Sequence, residues 1–126
     1  MKISHEKPPN WDKLVEQFGA KWGETVVTYG DTCYCMFPPS RDLEVHELVH
    51  TEQQKDPVAW WNRYYIDPKF RFDQELEAYK GQYMFLKKVV KDRNLLLRQR
   101  DRLARDLSGP MYCNCVKFDE AFRLIG

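Results

Sequence analysis

The chain has 126 residues, 43% of them hydrophobic and 14% aromatic, with a formal charge of +1. That length is one domain's worth of sequence, enough for a modest core without disulfide staples, and the composition is that of a folded globular protein rather than a disordered one. A near-zero charge excludes a global electrostatic pull toward nucleic acid or membrane, and no uninterrupted apolar run approaches membrane-spanning length.

The elements follow in chain order. Pro8-Pro9-Asn10 is a stop, and Asn10 is placed to cap a short amphipathic helix through Phe18 that Gly19 and Gly23 close. Thr25–Tyr29 and Thr32–Met36 are β-rich runs on either side of Gly30-Asp31, which reads as a hairpin or two short strands ended by Pro38-Pro39. Ser40 or Asp42 can cap the next helix, running to about Lys55. Asp56-Pro57 opens a helical piece from Val58 to Ile66, and Asp67-Pro68 marks another start. From about Phe70, the apolar positions Phe72, Leu76, Tyr79, Tyr83, Leu86 and Val90 step alternately by four and three, the pattern of a buried helical seam. A basic helix spans roughly 92 to 107, continuous with the last or kinked near Asn94. Ser108-Gly109-Pro110 breaks it, and Phe118–Leu124 is a short terminal helix. The expectation is one α+β domain over residues 1–126, mostly helical, with a small sheet on its N-terminal side.

The run His46-Glu47-Leu48-Val49-His50 carries the clearest chemistry. Positions i and i+4 share a helix face, so both imidazoles can reach one ion, and the intervening Glu47 can act as general base on a water activated by zinc. Val45, Leu48 and Val49 fall on another side, leaving a polar face with His46, His50 and Gln53. A catalytic zinc needs a third protein ligand. No further histidine follows at a suitable spacing, and His5 lies in a segment without pattern. Glu75 and Glu77 remain. At ~100° per residue, Glu75 lies about 60° from the centre of the apolar seam and Glu77 about 140° away, so Glu75 borders the buried face and is the expected ligand, with Glu77 the alternative. Ala78, one turn on, permits close helix approach. Tyr79, Tyr83 and Tyr112 are candidate donors to a developing oxyanion, and Tyr79 could also hydrogen-bond a ligand.

The run HELVHTEQ followed by ELEAY resembles the gluzincins, zinc peptidases whose third ligand is a glutamate on a later helix. The order EKPPN, YGDTCY, HELVHTEQQ, WWNRYYIDPKFRFDQELEAY and SGPMY is similar to short phage and prophage proteins described as metallopeptidases. The resemblance implies a minimal zincin-like core, His46, His50 and Glu75 as ligands of one Zn2+, and Glu47 as general base; it does not supply the substrate, which the peptidase reading makes a peptide or protein. It also implies a phage-encoded protein. The N-terminus lacks the apolar stretch of a secretory signal, so the expected compartment is the cytoplasm, of a bacterial host if the protein is phage-encoded, with reduced cysteines.

The pairs Cys33/Cys35 and Cys113/Cys115 depart from the family pattern. A four-thiolate zinc site on Cys33, Cys35, Cys113 and Cys115 is conceivable, but structural zinc sites favour Cys-x-x-Cys loops, and buried free cysteine is the preferred reading. Trp60-Trp61-Asn62-Arg63-Tyr64-Tyr65 reads as packing more than as a substrate wall. Arg63 and Arg71 read as surface partners of acidic residues. Residues 87 to 106 hold eight basic against three acidic residues. Acids and apolar residues interrupt that run and no aromatics interleave it, so a solvated face is preferred to a phosphate-binding one. With little chain left for a substrate subdomain, the alternative to a peptidase is a non-catalytic zincin-fold protein engaging a host or phage protein.

Overall fold

The computed structural model describes residues 1–126. Three short strands form one sheet in the order β1-β3-β2, with β1 Lys2–Ser4, β2 Val27–Tyr29 and β3 Thr32–Tyr34. β2 and β3 are the hairpin expected around Gly30-Asp31. Gly30 takes φ 63° at the first central position of the two-residue loop, where a side chain would be strained. β1 pairs parallel to β3 and was not expected, because Lys2 and Ile3 are exposed and the segment shows no alternation. Its register comes from its partner.

Six helices make up most of the rest: α1 Trp11–Phe18, α2 Arg41–Gln53, α3 Pro57–Ile66, α4 Pro68–Val89, α5 Arg93–Leu107 and α6 Phe118–Ile125. The Asp-Pro pairs act as expected. Asp56 accepts from the Ala59 N–H and Asp67 from the Phe70 N–H, each with proline in the first turn. The chain breaks between α4 and α5 at Asp92, whose carboxylate accepts from the N–H groups of Asn94 and Leu95. Asn10 does not cap α1 with its side chain; its Nδ2 instead donates to the Tyr65 hydroxyl at 2.8 Å. A 3-10 turn, Pro110–Tyr112, follows α5.

The seam of α4 buries Phe72, Tyr79, Tyr83 and Leu86 against Leu103, Ala104 and Leu107 of α5, Tyr112, and Ala121 and Ile125 of α6. A second cluster joins Leu14, Val27, Trp60, Trp61 and Tyr64. Between the two, α2 lies close along α4. Ala78 is fully buried, and a Cβ added at Gly81 would come within 3.2 Å of Val49 Cγ2. The buried side of α2 is its polar one, His46, Glu47 and His50, while Leu48 is exposed. A helix with this inverted face is stable only if those polar groups find partners. No helix is long and apolar enough to cross a membrane.

Candidate metal centre

One turn of α2 separates His46 from His50, and their rings sit 4.9 Å apart, nearly perpendicular. Across from them, Glu75 projects from α4, with Oε1 at 3.1 Å from Nε2 of His46 and 3.1 Å from Nε2 of His50. The three side chains are buried and offer ligand atoms within 4.8 Å of one another, a group that could hold a metal ion. Glu77 points outward, beside Asp73 and Lys80. The close approach of α2 and α4 at Ala78 and Gly81 brings Glu75 within reach.

Each imidazole is fixed from behind by a glutamine. His46 Nδ1 lies 3.0 Å from Gln82 Oε1, and Gln82 Nε2 donates to Asp42 Oδ2 at 2.8 Å. His50 Nδ1 lies 2.8 Å from Gln53 Oε1, and Gln53 Nε2 donates to the Gln74 carbonyl at 3.0 Å. Both amide NH2 groups face acceptors that cannot donate, so both carbonyl oxygens face the imidazoles, which donate from Nδ1. The hydrogen bonds to Glu75 Oε1 are then made by Nε2–H, and a neutral imidazole so held would present the lone pair of Nε2 to a cation. On the other side of the carboxylate, the Tyr64 hydroxyl donates to Glu75 Oε2 at 2.7 Å. Oε1 therefore faces the histidines while Oε2 is engaged elsewhere. Trp60 packs edge-on against His50 at 5.6 Å and donates its indole N–H to Gln74 Oε1, and Tyr79 packs edge-on against His46 at 4.6 Å.

Burial works against charge on both Glu75 and His50, and their mutual attraction outweighs it. Desolvation alone would raise the Glu75 carboxyl, but the charges and hydrogen bonds of His50 and His46 hold it well below the usual carboxylate range. Desolvation alone would lower His50, but Glu75 pushes it up to about 9. A divalent cation would compete with that proton for the same lone pairs. Burial and the nearby Glu75 push the phenols of Tyr64, Tyr79 and Tyr112 up, keeping them neutral donors.

Glu47 is held on the sheet side. Its Oε2 accepts from Thr28 Oγ1 at 2.7 Å. The Thr28 carbonyl accepts from Gln54 Nε2 at 2.9 Å and from Trp61 Nε1 at 3.2 Å, which ties β2 to α2 and α3. A cavity of about 400 Å³ brings together the triad, Glu47, Trp60, Trp61, Tyr64, Tyr79 and Tyr112, with Arg102, Asp106 and Met111 on the α5 side. Tyr79 and Tyr112 thus share the cavity with Glu47. The hydrogen bond to Glu75 expected of Tyr79 is made by Tyr64. The Tyr79 ring is drawn instead into the α4 seam, next to Tyr112 at 6.4 Å.

The four cysteines, for which a shared zinc site is the less favoured reading, do not come together; the triad is the one group with metal-binding geometry. Cys33 and Cys35 are buried free thiols on and just after β3, in line with the preferred reading of buried free cysteine, whereas Cys113 and Cys115, two residues apart after the 3-10 turn, lie with their sulfurs in contact. Arg71 is buried, not a surface partner: it donates to the Tyr64 carbonyl at 2.8 Å and lies over the Phe18 and Tyr64 rings. Arg63 pairs with Asp67. On α5, Arg105 pairs with Asp101, and Arg100 donates to the Phe122 carbonyl and lies over its ring, so part of the basic run is used in structure.

Sequence reasoning missed Gln82, Asp42, Tyr64 and Thr28. Gln82 is two turns from Glu75 on the same face of α4, a spacing that could have found it. Nothing local marks Tyr64 among its aromatic neighbours. No protein-family model, curated protein or solved structure matches the chain.

Proposed function

We propose that the chain is a zinc-dependent, gluzincin-like metallopeptidase. The observation that carries this reading is the convergence of two imidazole Nε2 atoms on one carboxylate oxygen, with a second carboxylate, Glu47, in the same cavity. Two nitrogens and one oxygen suit zinc and leave an open position, as catalytic sites require. A bound zinc would supply Lewis acidity, polarising a carbonyl and making a water acidic near neutral pH.

The remaining roles belong to the chain's own side chains. Glu47, oriented by Thr28, takes the proton of the attacking water and returns it to the leaving amine. Tyr112 and Tyr79, neutral and lining the cavity, are the candidate donors to the developing oxyanion. Gln82, Gln53 and Tyr64 keep the three ligands oriented. The resemblance carried by the motif order from EKPPN to SGPMY is the ground for proposing a phage-encoded protein.

The test is hydrolysis of a peptide library by protein loaded with one zinc per chain. Cleavage that a chelator abolishes and zinc restores supports the reading, and zinc-loaded protein without cleavage removes the peptidase. A second reading, a non-catalytic zincin-like protein that binds a host or phage protein, is favoured by the depth of the triad, each residue 5% exposed. It expects stoichiometric zinc, no turnover, and partner binding that survives Glu47→Gln.

A further inference from the structure

His46 touches α4 at two points seven residues apart, Glu75 at Nε2 and Gln82 at Nδ1. Gln82 is 2% exposed, so the direction of its amide is set by protein groups alone. An amide can present either end to a neutral imidazole. Its oxygen toward Nδ1 leaves the Nε2 lone pair free, while its NH2 toward Nδ1 would select the tautomer with a proton on Nε2. The group that decides is Asp42, in the first turn of α2 and one turn before His46. Its Oδ2 accepts from Gln82 Nε2 at 2.8 Å, and a carboxylate can only accept. Hydrogen bonds from Gln82 and Ser40 and the charge of Arg102 outweigh the cost of burial and keep the Asp42 carboxyl below its ordinary range. Arg102 Nη2 is 3.5 Å from the same oxygen.

We propose that Asp42 is a positioning residue of the metal centre, acting through the Gln82 amide to hold His46 with Nε2 directed at the cation. This rests on the triad being a metal site. It adds that Asp42, which would touch no metal itself, sets the affinity from the far end of the chain Asp42–Gln82–His46. The neutral amide between them transmits orientation and not a proton, so hydrogen-bonding capacity at position 42 matters more than charge.

The experiment is zinc titration of the full chain, by competition with a chromophoric chelator, for the wild type, Asp42→Leu, Gln82→Leu, the double variant and Asp42→Asn. The visible bands of the cobalt-loaded forms are recorded alongside. Asp42→Leu and Gln82→Leu are each expected to weaken zinc by about 10–100-fold. The double variant is expected to be no weaker than the worse single one, because both act through one contact. Asp42→Asn, which keeps an acceptor and loses the charge, is expected to retain affinity and the wild-type cobalt bands. Circular dichroism of the metal-free forms identifies a variant that has lost its fold, and Asp42→Asn against the wild type then decides. Additive losses in the double variant, or a loss in Asp42→Asn as large as in Asp42→Leu, would overturn the proposal. A wild type that binds neither zinc nor cobalt overturns the metal reading beneath it, a result distinct from either.

Discussion

The Tyr64 hydroxyl donates to Glu75 Oε2 at 2.7 Å, so a residue of the aromatic helix α3 orients the carboxylate that α4 brings to the two histidines. Removing that hydroxyl tests the relationship. Tyr64→Phe keeps the ring packing on Trp60 and leaves Oε2 without its donor. Zinc affinity is expected to fall about 10–100-fold with the fold intact. Chemical denaturation of the metal-free protein should register a loss of about 1.5–3 kcal/mol, the scale of a hydrogen bond to a charged group.

On the proposed reading, Glu47 is separable from the ligands. Glu47→Gln should retain one zinc per chain and lose peptide hydrolysis by about 10²–10⁴-fold. Thr28→Val, which removes the hydroxyl holding Glu47, should lower kcat while leaving zinc affinity unchanged. Hydrolysis at the wild-type rate in Glu47→Gln would reassign the base.

The pH dependence follows from His50. Its folded value, pushed up to about 9 by Glu75, lies above its ordinary value of 6.5. The stability it contributes to the metal-free protein is therefore complete below pH 6.5 and is lost as pH rises through 9. Glu75 works in the opposite sense: its contribution is present above its ordinary value of 4.5 and disappears in acid, as pH falls through its depressed folded value. A bound zinc would displace the His50 proton, so between pH 6.5 and 9 binding should release about one proton and tighten about tenfold per pH unit. Calorimetry at pH 7.5 in buffers of different ionisation enthalpy measures that proton directly. The rise in Tm on adding zinc should grow across the same interval.

The wall of the cavity on the α5 side depends on Leu103, which has no exposed surface and lies one residue after Arg102. Leu103→Ala should cost about 2–5 kcal/mol of stability in thermal or chemical unfolding. Leu97→Ala on the exposed face of α5 should cost far less.

Much of this arrangement is legible in the sequence where a pattern is local. The i, i+4 histidines, the Asp-Pro helix starts and the stepping seam of α4 need only helix geometry, and the same geometry turns Glu75 inward and Glu77 outward. What escapes is what a partner decides. β1 exists because β3 offers it an edge, and the Asn10 side chain leaves its cap position for Tyr65. The inward face of α2 is polar because Glu75, Gln82 and Thr28 arrive from elsewhere to satisfy it, so its Leu48 is left outside. α4 buries two faces, one toward α5 and α6 and one toward α2. A single apolar phase describes the first and conceals Gln82 on the second.

The most direct measurement is the metal content of the purified chain together with anomalous scattering at the metal edge. One zinc per chain bound by His46 Nε2, His50 Nε2 and Glu75 is the expected result. Stoichiometric metal on other residues, or a chain that takes up no zinc while His46, His50 and Glu75 keep this geometry, would contradict it.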